Sequence, residues 1–197
     1  MLKDLIIRNR SYRRFYQDTE VPRAVLEELI ELARLSPSAA NLQPLKYIIS
    51  QTPAWNEKIF ETLTWAGYLT EWSGPQDGER PAAYIIILLD QNISKKLDCD
   101  HGIAAQSILL GAAEKGLGGC IIGSIHREKL RTVLNIPDQF KIMLVLALGY
   151  PKEKVKIESL EGDDSVHYWR DKKQVHYVPK RNLKDLIFKV YSFFEDG

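Results

Sequence analysis

The sequence predicts a single domain of α+β class, a three-layer α/β/α sandwich with helices on both faces of one sheet. Three observations lead there. Helix-like and strand-like segments alternate through most of the 197 residues. Two nearly continuous apolar runs, residues 82–90 and 141–149, read as buried strands. Residues 100–115 are apolar around most of a helical circumference, which makes that segment a central helix packed on more than one side.

The elements follow in order. Residues 2–8 carry apolar side chains at 2, 5 and 6, as a short amphipathic helix would. Val21-Pro22 opens a stronger helix, because proline suits a first helical position and Val25, Leu26, Leu29, Ile30 and Ala33 follow at helical spacing. It ends at Ser36-Pro37. A strand is predicted over 45–50 and a helix over 53–63. Residues 64–81 are irregular, with three glycines, two prolines and the aromatic residues Trp65, Tyr68 and Trp72. Long irregular segments tend to carry function, so these aromatics are candidates for a substrate lid, with ordinary packing or dimer contacts as the alternative.

A short strand over 119–122 and a helix over 127–134, stopped near Pro137, complete the alternation. After Pro151 the chain becomes charged and weakly periodic, and about 152–177 reads as an extended excursion. A final helix is expected over 182–194. Its apolar residues at 183, 186, 187, 190, 193 and 194 pack either on their own domain or on a second subunit.

Charge narrows the function. The chain carries 27 Lys+Arg against 26 Asp+Glu, so it lacks the basic excess of a general polyanion binder, and no nucleic-acid partner is expected. Its longest apolar runs are far short of the ~20 residues that span a bilayer, and residues 1–10 hold no signal-peptide apolar core. Two cysteines, Cys99 and Cys120, cannot staple a scaffold, so a cytoplasmic protein with reduced thiols is expected.

Several motifs fail. The cluster Gly116, Gly118, Gly119, Gly123 invites a dinucleotide fingerprint, but position 121 is Ile121 where glycine is needed. The cluster also follows a helix and leads into a strand, the reverse of the fingerprint's context. No P-loop and no nucleophile elbow occur, and the four histidines form no zinc pattern, so no metal is expected.

Two segments remain. Arg8, Arg10, Arg13 and Arg14 lie within seven residues around Ser11 and Tyr12. They form a solvated face, a nucleic-acid patch or an anion pocket. In the last case guanidinium forks and a serine hydroxyl grip one phosphate. Residues 36–44 place Ser38, Asn41 and Gln43 among small residues between Pro37 and Pro44. Such a loop lets a planar ligand approach the backbone while amides offer both donors and acceptors, or it is a polar turn with helix caps.

Four stretches together resemble the nitroreductase family of FMN-dependent oxidoreductases: 10–15 (RSYRRF), 36–44 (SPSAANLQP), 116–123 (GLGGCIIG) and 178–181 (VPKR), in the family's order. The resemblance implies a mixed, mainly antiparallel sheet flanked by helices. It implies FMN as cofactor and NAD(P)H as electron donor, with ping-pong hydride transfer through flavin N5 to an electron-poor small molecule such as a nitroaromatic or quinone. Arg10 and Ser11 match the phosphate contacts and Arg13 the cation near flavin N1 and O2. Pro37, Ser38, Asn41 and Gln43 match the second flavin-binding segment. Ile122 and Gly123 match the backbone near N5 and O4, and Lys180 and Arg181 match basic residues near the phosphate. It further implies a homodimer, with the C-terminal helix reaching the partner, and no catalytic side chain beyond the flavin's own chemistry. A non-catalytic FMN binder and a dehalogenating or flavin-fragmenting enzyme are the alternatives on the same scaffold.

Overall fold

All eight side chains of the strand Ala83–Asp90 (β2) are buried, and they divide by parity between two cores. Ile85 and Ile87 point into one, and Tyr84, Ile86 and Leu88 into the other. That is the period-two signature of a strand covered on both faces. The computed structural model describes residues 1–96, 98–161 and 165–191. Within it the chain divides into two compact units, Met1–Glu153 and Lys154–Gly197.

In the first unit β2 lies beside Leu45–Ser50 (β1) and Phe140–Gly149 (β4), with Gly118–Ile122 (β3) beyond β4. The order is β1-β2-β4-β3, and every pair is antiparallel. A register shift between Ile87 and Leu88 marks a bulge against β4.

Helices cover both faces. Arg23–Arg34 (α2) and Asp100–Glu114 (α4) supply Leu26, Leu29, Ala104, Ala105, Ile108 and Leu109 to the first core. The second core receives Ile59 from Pro53–Phe60 (α3) and Leu130 from Arg127–Leu134 (α5). Two helical layers enclosing one sheet give the α/β/α sandwich that the alternation predicts. At ~25 cal/mol per Å² of apolar area, burial of these large side chains on both faces is the main stabilising term. Gly111 lets α2 and α4 approach closely, because a Cβ there would stand 2.3 Å from Leu32 Cδ1. Among the described residues no helix is long and apolar enough to cross a membrane.

The helix Leu2–Arg8 (α1) leads into a segment that runs along the free edge of β3. Ser11 forms a parallel bridge to Gly119, and the Tyr12 N–H donates to the Gly119 carbonyl at 3.0 Å. Phe15, fully buried, then pairs with Pro151.

In the second unit, Val155–Ser159 (β5) runs parallel to His176–Lys180 (β7), and Trp169–Arg170 (β6) is antiparallel to β7. Trp169 stacks on Tyr177 with ring centroids 4.5 Å apart. Residues 152–177, expected as an extended excursion, thus contain strand pairing. Of the expected helix over 182–194, Leu183–Leu186 (α6) is helical and 187–191 are not, while residues 192–197 lie outside the described part. Leu183, Leu186, Phe188, Val190 and Tyr191 are exposed. Isolated helices this short are marginal in water, and the apolar stripe has no packing partner among the described residues to prolong it.

Candidate functional site

The arginine cluster is sorted by its partners. Arg14 is a structural residue. Its Nε and Nη2 donate to the two carboxylate oxygens of Glu79, each at 2.6 Å, a bidentate pair that Lys152 extends at 3.4 Å. This pair holds the Glu79 carboxyl below its ordinary range and the Arg14 guanidinium above its own. Arg10 differs. One guanidinium nitrogen donates to the Ile6 carbonyl at 2.7 Å, while its Nε is buried without a partner among the described residues. Desolvation lowers its pKa, which leaves it a charged donor at neutral pH. Arg13 donates through Nη1 to the Ser11 carbonyl at 3.3 Å.

The backbone that carries these side chains is pinned. The Glu153 carboxylate, 9% exposed, accepts the Arg13 backbone N–H, and the Arg14 N–H at 3.2 Å. The opposite side is held by the β3 edge. A Cβ on Gly118 would stand 2.6 Å from Tyr12 Cδ2 and 2.7 Å from Pro151 Cγ, so glycine permits this approach. The first and third motifs are therefore neighbours: Ser11 and Tyr12 lie beside Gly119, three to four residues from Ile122 and Gly123 along β3 and its exit. Ile122 is buried at 5% while Gly123 is exposed, with nothing within 4 Å of a notional Cβ.

Cys120 is buried in the same strand. Burial raises its thiol pKa, and Arg13 and Ser11 oppose that only in part. A thiol held protonated is a poor nucleophile.

The loop 36–44 has a different anchor. The Ser38 hydroxyl donates to Asp100 Oδ2 at 2.6 Å, and the Ala39 N–H to Asp100 Oδ1 at 3.1 Å. Ser38 Oγ in turn accepts the Gln43 N–H at 2.9 Å. Between these ties the chain makes a 3₁₀ turn, Ala39–Asn41, with Ala40, Asn41 and Gln43 at φ of 48°, 54° and 51°. Three left-handed non-glycine residues so close together are costly, and cluster where function holds the backbone. Asn41 and Gln43 are exposed, with the Gln43 amide donating to the Asn41 carbonyl at 3.1 Å. Pro37, Ser38 and Gln43 line a cavity of about 470 Å³, together with Tyr47 and Ala104.

Both loops attach to α4. Ser36 Oγ lies 2.7 Å from Ser107 Oγ, and Asn9 donates to Gln106 at 3.4 Å. Lys180 closes β7 and Arg181 follows it, both exposed, in the second unit.

Of the expected lid residues, Trp65 is 6% exposed and packs in the second core, with its ring centroid 5.8 Å from that of Phe60. Its apolar area goes to packing. Tyr68 is 51% exposed, and Trp72 is partly buried against the same core. Sequence reading missed Asp100, Glu153 and Glu79. An acid at the start of an otherwise apolar helix, as at Asp100, was the one available signal.

The residues present fit a flavin mononucleotide. Arg10, Ser11 and Arg13 carry two guanidinium groups and a hydroxyl within four residues, donors whose chemistry suits a phosphate or other anionic group. The loop of small residues offers amides for a heterocycle edge.

Known proteins are similar to this chain. A model of the "Nitroreductase family" matches residues 6–150. Two archaeal relatives bear the name "Putative NADH dehydrogenase/NAD(P)H nitroreductase". The one from Archaeoglobus fulgidus is 30% identical over 169 residues, covering 81% of this chain and 90% of that protein. The one from Methanothermobacter thermautotrophicus is 31% identical over 170 residues, covering 82% and 83%. An "FMN-dependent Nitroreductase" from Clostridium difficile R20291 superposes with a TM-score of 0.59 at 24% identity, covering 80% of this chain and 90% of that one.

Proposed function

This chain belongs to the nitroreductase family, and from that premise we propose that it is an FMN-dependent oxidoreductase using NAD(P)H as electron donor. The chemistry FMN supplies when bound is acceptance of a hydride at N5 and its return, in a ping-pong cycle, to an electron-poor acceptor such as a nitroaromatic or quinone.

The protein's part is binding, orientation and electrostatics. Arg10 and Ser11 take the phosphate. Arg13 supplies positive charge toward the ring edge, where negative charge grows on reduction. Pro37, Ser38, Asn41 and Gln43 orient the ring system, with Asp100 fixing the loop through Ser38 and Ala39. Backbone N–H groups at Ile122 and Gly123 need no particular side chain, which agrees with an apolar residue at 122. Tyr68 and Trp72 form the substrate lid. The active unit is a homodimer.

The observation that supports this reading is the parallel bridge of Ser11 to Gly119, which runs the Arg10–Ser11–Arg13 segment along the edge of β3, the strand that ends at Ile122 and Gly123. Its test is retention of FMN by the purified protein, followed by anaerobic addition of NADH or NADPH. Reduction of the bound flavin is expected, and a flavin that neither donor reduces would refute the enzymatic reading in favour of a passive FMN binder.

A further inference from the structure

The β3–β4 ladder ends at the pair Ile122 and Val145, and the chain then runs through Gly123, Ser124 and Ile125 to the head of α5. An arginine stands at the point where that pairing stops. Arg127, the first residue of α5, donates through Nε to the Ile142 carbonyl at 3.0 Å. Its Nη2 donates to the Gly123 and Met143 carbonyls, each at 3.3 Å. Ile142 and Met143 belong to β4, so one planar fork ties β4 to the exit of β3 just beyond their last shared rung.

The residues that follow Gly123 are held from another direction. The Thr64 N–H donates to the Ser124 carbonyl at 3.0 Å, the His126 N–H donates to the Thr62 carbonyl at 2.8 Å, and Leu63 bridges Ile125. Thr62 and Leu63 are buried, which makes them firm anchors. Gly123 lies between the paired Ile122 and the tethered Ser124. It is exposed, and nothing lies within 4 Å of a notional Cβ. Glycine is the most permissive residue of the backbone and has no side chain to pack, so its orientation rests on what grips its peptide groups.

We propose that Arg127 is a positioning residue for the flavin: by holding the Gly123 carbonyl it keeps the Gly123 backbone in the orientation that presents its N–H to flavin N5. This rests on the FMN reading above, in which the Ile122 and Gly123 backbone serves the reactive edge of the ring. Because the peptide is planar, a carbonyl fixed by Arg127 also fixes the N–H of Ser124 that follows it. A restrained glycine has less conformational freedom to lose when the ring arrives, and that preorganisation strengthens binding. Arg127 is itself exposed, so the hold has the strength of a solvated hydrogen bond.

The probe is 5-deaza-FMN, in which a C–H replaces N5. FMN and 5-deaza-FMN are titrated by calorimetry into the FMN-free natural protein and into Arg127→Met and Arg127→Lys. The natural protein is expected to bind FMN about fivefold more tightly than 5-deaza-FMN, and Arg127→Met to bring that ratio close to one. An arginine that only stabilises the fold would weaken both flavins in step and leave the ratio unchanged, which would overturn the proposal. Lysine keeps the charge but gathers its donors on one nitrogen, so Arg127→Lys should lose the ratio as well. Full recovery by lysine would assign the effect to charge and overturn the role of the fork. If Arg127→Met does not fold, Arg127→Lys carries the comparison.

Amide nitrogen relaxation in the FMN-free protein supplies a readout without any flavin. Gly123 and Ser124 should be ordered in the natural protein and looser in Arg127→Met, and identical order in a folded variant would overturn the proposal. The two readings fail differently. A natural protein that binds FMN and 5-deaza-FMN equally overturns this inference and leaves the FMN reading standing, whereas one that binds neither flavin overturns both.

Discussion

The Ser38 hydroxyl donates to the Asp100 carboxylate at 2.6 Å, across 62 positions of sequence, and Asp100 is only 5% exposed. The second oxygen of that carboxylate takes the Ala39 N–H. One buried acid at the head of α4 thus holds both the side chain and the backbone of the loop assigned to the flavin ring. The left-handed residues that follow have this anchor on one side and the Gln43-to-Ser38 bond on the other.

Asp100→Asn should therefore loosen the loop. The amide keeps the volume but brings a donor where the carboxylate accepts two hydrogen bonds. FMN affinity is expected to fall about tenfold, the worth of ~1.4 kcal/mol. A fluorescence titration reads it, with the unfolding temperature as control. Unchanged affinity in a folded Asp100→Asn protein would detach this acid from the site.

Arg10→Ala should separate the phosphate from the rest of the cofactor. A charged hydrogen bond contributes ~1.5–3 kcal/mol, so FMN should bind about 10–100-fold more weakly while riboflavin, which lacks the phosphate, changes little. An equal loss for both ligands would mean that Arg10 acts elsewhere.

The Arg14–Glu79 pair predicts an acid limit. Its side chains are 21% and 16% exposed, so solvent screening is incomplete. The Arg14 hydrogen bond lowers the folded-state pKa of Glu79 below 4.5. The resulting stability is fully present above that ordinary value and is lost as pH falls through the lower folded value. Glu79→Gln should cost roughly 1–3 kcal/mol at neutral pH, and the gap from the natural protein should narrow below about pH 4. Denaturant melts across pH measure it, and a gap that widens on acidification would contradict the assignment.

The two thiols should react differently. Cys99 is exposed, whereas Cys120 is buried with its pKa raised chiefly by burial. Iodoacetamide should label Cys99 in the folded protein and reach Cys120 only on unfolding. Mass spectrometry resolves the two, and early labelling of Cys120 would show that β3 opens readily.

The fold was largely legible because its elements announce themselves. Runs such as Ile85–Leu89 and Leu144–Leu148 leave few options besides buried strands, and α4 is apolar around most of its circumference. The motif loops were legible as clusters of side chains. What holds them was not. Glu153 and Glu79 are distant in sequence from the arginines they anchor and look like ordinary surface acids until the chain brings them together. Trp65 shows the converse. An aromatic in an irregular, glycine-rich stretch suggests a lid, yet the ring turns inward because the second core has space for it. The C-terminal stripe likewise has helical spacing, but among the described residues its helix spans one turn, Leu183–Leu186.

Electron transfer from NAD(P)H through bound FMN to a small acceptor is the function proposed for this chain. Anaerobic spectrophotometry of the FMN-loaded protein tests it most directly. NADH or NADPH is expected to bleach the flavin stoichiometrically, and a quinone or nitroaromatic then to restore the oxidised spectrum. A flavin that stays oxidised with both donors would contradict it.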